Sequence, residues 1–133
     1  RTPSSAASDV YKRQGEGGSG GALAIGVGDH ICMLEYSIYA VASPEACASI
    51  VWRDKSKANE AAKAMKVDAD SLIKFGLIDE IITEPLGGAH RDLGGACNLI
   101  SNSIEKNLIH LNNQDIEEIL KKRYEKIMSY GLV

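Results

Sequence analysis

The sequence predicts an α/β chain, and three observations predict it. Two short runs rich in β-branched and aromatic residues, 30–35 (HICMLE) and 37–42 (SIYAVA), and a third apolar run, 77–82 (LIDEII), have the length and composition of strands. Around them, apolar residues recur at every third or fourth position, the period of amphipathic helices. The whole is 133 residues, 44% apolar and 25% charged, which suits one ordinary folded domain with one core.

Residues 1–14 (RTPSSAASDVYKRQ) are polar, aperiodic and lack an initiator Met, so they are expected to be a disordered scar of sequence assembly, with the domain proper covering 15–133. A Gly-rich block follows. Gly15, Gly17, Gly18, Gly20, Gly21, Gly26 and Gly28 are seven of the 13 glycines in the chain, and the apolar run 22–27 within them predicts a loop feeding a short buried helix. After the two strands, Ser43-Pro44-Glu45 combines a capping hydroxyl, a proline suited to the first helical position and an acid in the first turn. A helix is expected from Pro44, with Cys47, Ile50 and Val51 at helical spacing. Ser56 is expected to cap the next helix, whose small stripe is Ala58, Ala61, Ala62 and Met65. A short helix over 70–75 should stop at Gly76, with the strand 77–82 next and a loop over 83–88. Two long amphipathic helices are expected to close the chain: 91–111, and a second bearing Ile116, Ile119, Leu120, Tyr124, Ile127 and Met128. Glu117 with Lys121 and Glu118 with Lys122 have the spacing of supporting ion pairs on one helical face.

Charge and cysteine content narrow the function classes. With 15 basic and 18 acidic residues the net charge is −3, which argues against an electrostatic nucleic-acid or polybasic membrane-surface module. Cys32, Cys47 and Cys97 are far apart with no CxxC pair, so neither a disulfide framework nor a local zinc site is expected, and a reducing, cytoplasmic-type compartment fits. No run approaches the ~20 apolar residues of a membrane span.

The Gly-rich block carries the most chemical information. Successive glycines let backbone N–H groups approach a ligand closely, and a helix N-terminus directly after them adds partial positive charge. Such a turn suits a phosphate, a carboxylate or a developing oxyanion; a purely structural tight turn is the alternative. No Gly-Lys-Ser/Thr follows, which disfavours a phosphate-binding P-loop. Cys32, Cys47, Met33, Met65 and Met128 read as core residues, His30 and His110 as structural, and Trp52 as packing. The cluster His90-Arg91-Asp92 reads as a cap or interface contact, or as an anion contact.

Taken together, GEGGSGGALAIGVGD (15–29), SPEACASIVWRD (43–54), KANEAAKAMK (57–66), LIDEII (77–82), EPLGGAHRD (84–92) and RYEKIMSYG (123–131) closely resemble the alpha subunits of the carboxyltransferase of bacterial-type acetyl-CoA carboxylase. The resemblance runs in one register from Gly15 to Val133. It implies a crotonase-like (ClpP/crotonase) fold, a spiral of strand-strand-helix units, of which this chain would be the C-terminal half ending in two helices. It implies an enzyme subunit that moves a carboxyl group from carboxybiotin, borne on a biotin carboxyl carrier protein, to acetyl-CoA, giving malonyl-CoA for fatty acid biosynthesis. Biotin is then the cofactor, not covalently bound here.

In that family, consecutive glycines that match Gly20 and Gly21 donate backbone N–H groups to the biotin ureido oxygen; no substrate-binding side chain is assigned. No metal is expected in this chain, the zinc ribbon belonging to the beta subunit. Activity is expected only with beta, in an assembly of two alpha and two beta chains that also meets biotin carboxylase, in the bacterial cytoplasm or a plastid. Two departures stand out: Ala46 replaces the glycine common in SPEGC, and the N-terminal half is missing, so the fragment is not expected to act alone. The alternatives are a subunit of another biotin-dependent acyl-CoA carboxylase or decarboxylase, and a non-catalytic assembly module.

Overall fold

The computed structural model describes residues 16–131, so the expectations for residues 1–14, and Gly15 itself, lie outside the described residues. The order of elements is β1 (Glu16–Gly18), α1 (Ser19–Ile25), β2 (Cys32–Leu34), β3 (Ile38–Ala40), α2 (Pro44–Trp52), a 3-10 turn (Lys55–Lys57), α3 (Ala58–Met65), α4 (Ala69–Lys74), β4 (Glu80–Ile82), α5 (Leu93–Asn112) and α6 (Ile116–Ser129). This mixture of helix and strand bears out the expected α/β class. The strands form two parallel pairs: β1 with β3, aligning Gly18 with Ala40, and β2 with β4, aligning Cys32 with Glu80 and Leu34 with Ile82. Parallel neighbours need crossover connections, and the helices supply them.

The core lies against the β2–β4 pair. Ile31, Met33, Ala69, Leu72 and Ile78 form it, flanked by half-buried Tyr39, Leu77 and Ile81. Within β2, only Met33 is buried while its neighbours Cys32 and Leu34 are half-buried, as the two-residue period of a strand requires. The strands are shorter than the apolar runs that predicted them. Leu77 closes the C-terminus of α4 instead of starting a strand: its N–H donates to the Leu72 carbonyl at 3.0 Å, with Gly76 at φ +69° making the turn. Ile78 is buried without belonging to the ladder, so apolar composition marked burial and overstated pairing.

Local capping follows the sequence at most helix starts. Ser43 Oγ accepts from the Ala46 N–H at 3.2 Å, with Pro44 in the first helical position, as expected. Ala46 is half-buried in this turn, and its extra methyl is accommodated. Ser56 does not cap α3. It sits in the 3-10 turn and donates both its N–H and its hydroxyl to Asp54, which is the capping residue there. Asp68 caps α4 by accepting from the Ser71 N–H at 3.0 Å.

Three further expectations need correction. Helix α1 is not buried: Ala22 is, but Leu23 is 74% exposed and Ile25 45%. Met128 is exposed and not a core residue. Lys122 pairs with Glu118 at 2.7 Å as its spacing predicts, whereas Lys121 turns to Glu125 at 3.9 Å rather than to Glu117. Helix α6 has no fully buried residue: Ile119 is half-buried, while Ile116, Leu120, Tyr124, Ile127 and Met128 are exposed. No helix among them is long and apolar enough to cross a membrane.

Candidate functional site

Strand β1 ends at Gly18, whose extended backbone (φ −149°, ψ 158°) turns directly into α1 and, having no side chain, caps nothing. Gly20 and Gly21 therefore fall at the second and third positions of the helix. The N–H groups of a helix's first turn have no partner within it. No acidic side chain stands in that turn to compete for them. Gly20 is exposed, and a Cβ added to it would meet nothing within 4 Å. Its backbone is helical, so neither local packing nor a positive φ demands glycine there. Gly21 is half-buried. The far side of α1 is held by Tyr39 of β3, whose hydroxyl donates to the Ala22 carbonyl. Burial pushes the Tyr39 phenol up, keeping it protonated as that bond requires.

A second cluster lies on the side of the β2–β4 pair opposite Met33. The Glu80 carboxylate accepts from Asn107 Nδ2 at 2.7 Å, His30 Nε2 at 3.3 Å and Ser103 Oγ at 3.1 Å, with Lys106 Nζ at 3.8 Å. The Asn107 amide is the main reason that Glu80 titrates below its ordinary value; Ser103, His30 and Lys106 act in the same direction against the cost of desolvation. Cys32 Sγ is 3.6 Å from Ser103 Oγ and 3.8 Å from Asn107 Nδ2. Ser103 is buried, so α5 is anchored to the sheet through polar side chains. In the sequence His30 reads as structural, Cys32 as a core residue and Glu80 as part of the strand run 77–82. The missed signal was the i, i+2 spacing of His30 and Cys32, which sends both to one side of an extended chain.

The other expected polar groups are used structurally. Asp92 caps α5 by accepting from the Gly95 N–H at 2.8 Å, which answers for part of the 90–92 cluster. Gly87 and Gly88, at φ +93° and +92°, form the turn before it; an added Cβ on Gly88 would lie 3.0 Å from the His90 ring. Glu84 ties this loop down by accepting from the N–H groups of Ala89 at 2.8 Å and Tyr36 at 3.1 Å. Lys57 Nζ sits 6.0 Å from the centre of the Trp52 ring. His110 is exposed and lines a groove of about 310 Å³ with Asp29, Gln114, Lys122 and Arg123. The groove's cations are paired: Arg123 with Asp29 through two contacts of 2.6 Å and Lys126 with Asp79 within it, and Lys122 with Glu118 outside its lining.

Known proteins resemble this chain along most of its length. Residues 10–131 match the family model described as acetyl co-enzyme A carboxylase carboxyltransferase-like. The chain is 56% identical over 117 residues to the acetyl-coenzyme A carboxylase carboxyl transferase subunit alpha of Photobacterium profundum, covering 88% of this chain and 37% of that protein. It is 55% identical over 118 residues to the same subunit of Pseudomonas savastanoi pv. phaseolicola, covering 89% and 38%. The subunit of Methylococcus capsulatus is 52% identical over 118 residues, with 89% and 37% covered. The chain thus spans somewhat over a third of the length of these curated relatives. A family match over all the described residues, joined to identities above half, settles the kinship: the chain belongs to the acetyl co-enzyme A carboxylase carboxyltransferase family.

Proposed function

We propose that this chain forms part of a carboxyltransferase alpha subunit that works on acetyl-CoA, and that Gly20 and Gly21 present its oxyanion-stabilising donors. One observation carries the reading: two glycines occupy helix positions whose N–H groups lack helical partners, directly after a strand, with open space beside Gly20. A biotin ureido oxygen suits such a turn, because a glycine presents its N–H group with no side chain of its own in the way. Carboxybiotin, when bound, supplies the carboxyl group that is transferred to acetyl-CoA to give malonyl-CoA, the building block of fatty acid biosynthesis.

The chain's own contribution is electrostatic. Donors already aimed by a helix start stabilise negative charge on a ligand oxygen without reorganising, and the α1 dipole adds to them. Tyr39 holds α1 against β3 and thereby fixes where those donors point. The surrounding fold is a crotonase-like spiral of which residues 15–133 are the C-terminal part. The partners are a beta subunit, in an assembly of two alpha and two beta chains, together with the biotin carboxyl carrier protein and biotin carboxylase. The compartment is the cytoplasm of a bacterium, or a plastid.

Gly21→Val in the assembled enzyme tests the donor assignment. Losing one such donor lowers turnover by about 10²–10³, or about 3–4 kcal/mol of transition-state stabilisation. The expected result is that loss with the complex still formed by sedimentation and acetyl-CoA binding unchanged. Near-normal turnover in a correctly assembled variant refutes the assignment, and joint loss of assembly and turnover marks a glycine kept for its turn.

A further inference from the structure

We propose that His30, Cys32 and Glu80 form a binding site for one divalent transition-metal ion of the zinc class. The three side chains converge from two strands. His30 and Cys32 are two residues apart as the chain enters β2, and Glu80 stands opposite Cys32 in the parallel register, so all three emerge on the same side of the sheet. Their imidazole nitrogen, sulfur and carboxylate oxygen lie within 4.8 Å of one another. A tetrahedral zinc ion with bonds of ~2.0–2.3 Å holds its ligand atoms about 3.3–3.8 Å apart. The edge from His30 Nε2 to Glu80 Oε2 is already 3.3 Å, so closure is a matter of small side-chain rotations, chiefly of Cys32.

The donor set selects the ion class. A thiolate beside an imidazole is soft enough to disfavour magnesium and calcium, and nitrogen, sulfur and one carboxylate oxygen together are ordinary zinc ligands. The carboxylate is also held as ligating carboxylates are, with Asn107 Nδ2 on one oxygen and Ser103 Oγ on the other. Among the described residues Lys106 is the one permanent cation beside it, and its side chain is 73% exposed and free to swing outward. Three protein ligands leave a fourth position for water, and the His30 and Glu80 side chains are each about a quarter exposed. Binding releases the Cys32 thiol proton to solvent and joins β2 to β4 at their aligned residues. This site owes nothing to the glycine turn, and either assignment can fail without the other.

Cobalt(II) added to the purified, reduced protein is the probe. The expected result is a thiolate-to-cobalt charge-transfer band that saturates at one equivalent, is displaced by Zn²⁺, disappears in Cys32→Ser and persists in Cys97→Ser. In competition with a chromophoric chelator, Asn107→Ala should weaken Zn²⁺ binding by about 10–100-fold. Circular dichroism of each variant confirms that the fold is kept, and the wild-type spectrum decides even if a variant fails to fold. No band at one equivalent, or a band that survives Cys32→Ser, overturns the proposal.

Discussion

The glycine turn and the Glu80 cluster solve opposite problems with the same hydrogen-bonding chemistry. At the start of α1, donors are left without helical partners and side chains are removed from their surroundings. Around Glu80, three neutral or cationic donors converge on one carboxylate, and a buried serine is satisfied in the process. The first arrangement withholds partners from a backbone that a ligand can reach; the second spends Ser103 and Asn107 on holding α5 to the sheet and His30 on joining the entry of β2 to β4. On the proposed reading, the unpartnered donors at the exposed turn serve a ligand, whereas the saturated ones at the half-buried contact serve stability or a ligand that can compete for them.

Variants that should affect one region and spare the other put this contrast to the test. The largest expected effect is that of Gly21→Val on carboxyl transfer, about 10²–10³, with little change in melting temperature by calorimetry. Next comes Glu80→Ala, which deprives Ser103, Asn107 and His30 of their acceptor at once. It should destabilise the protein by about 1–3 kcal/mol in denaturant unfolding, with turnover of the surviving folded enzyme unchanged. A fall in turnover of the folded variant would break the division.

A smaller effect is expected at Asp29. The Arg123 guanidinium hydrogen-bonds its carboxylate and holds its pKa below the ordinary value, against a desolvation cost. Where the folded group is ionised and the unfolded one protonated, the unfolded state binds more protons, so stability rises with pH. Asp29's contribution is therefore complete above the ordinary carboxylate range and lost as pH falls through its lowered folded value. Asp29→Asn should flatten that acid limb in a series of thermal melts across pH, with a smaller loss at neutrality than Glu80→Ala. The last prediction has the opposite sign. Gly20→Ala should stabilise the fold by about 0.4–1 kcal/mol, because its backbone is helical and the added methyl meets nothing, while carboxyl transfer falls. Equal or higher turnover in that variant would show that Gly20's open flank is not used by a ligand.

Legibility in the sequence followed the range of the interaction. Ser43-Pro44 announced α2, and the glycine block announced an exposed backbone, because each effect acts within a turn of the residues that cause it. Asp68 and Asp70 flank the same alanine, and only the chain's approach direction decides that Asp68 makes the cap. The run 77–82 reads as one strand, yet Leu77 closes a helix and the ladder starts at Glu80. Apart from the i, i+2 spacing of His30 and Cys32, the Glu80 cluster had no local signature: Glu80's partners lie 23 and 27 residues later in α5 and 50 residues earlier before β2. Family resemblance does carry such information, but only for positions that the family's motifs include.

Helix α6 is attached chiefly by charge. Arg123 reaches Asp29 and Lys126 reaches Asp79, three residues apart and on one face, and together with half-buried Ile119 they set the roll of the helix about its own axis. That roll determines which row of α6 is on display, and the row displayed is Leu120, Tyr124 and Met128. Two aspartates in distant corners of the sequence thus act as an index mark for a surface they do not belong to. A substitution at either would turn the dial rather than erase the marking.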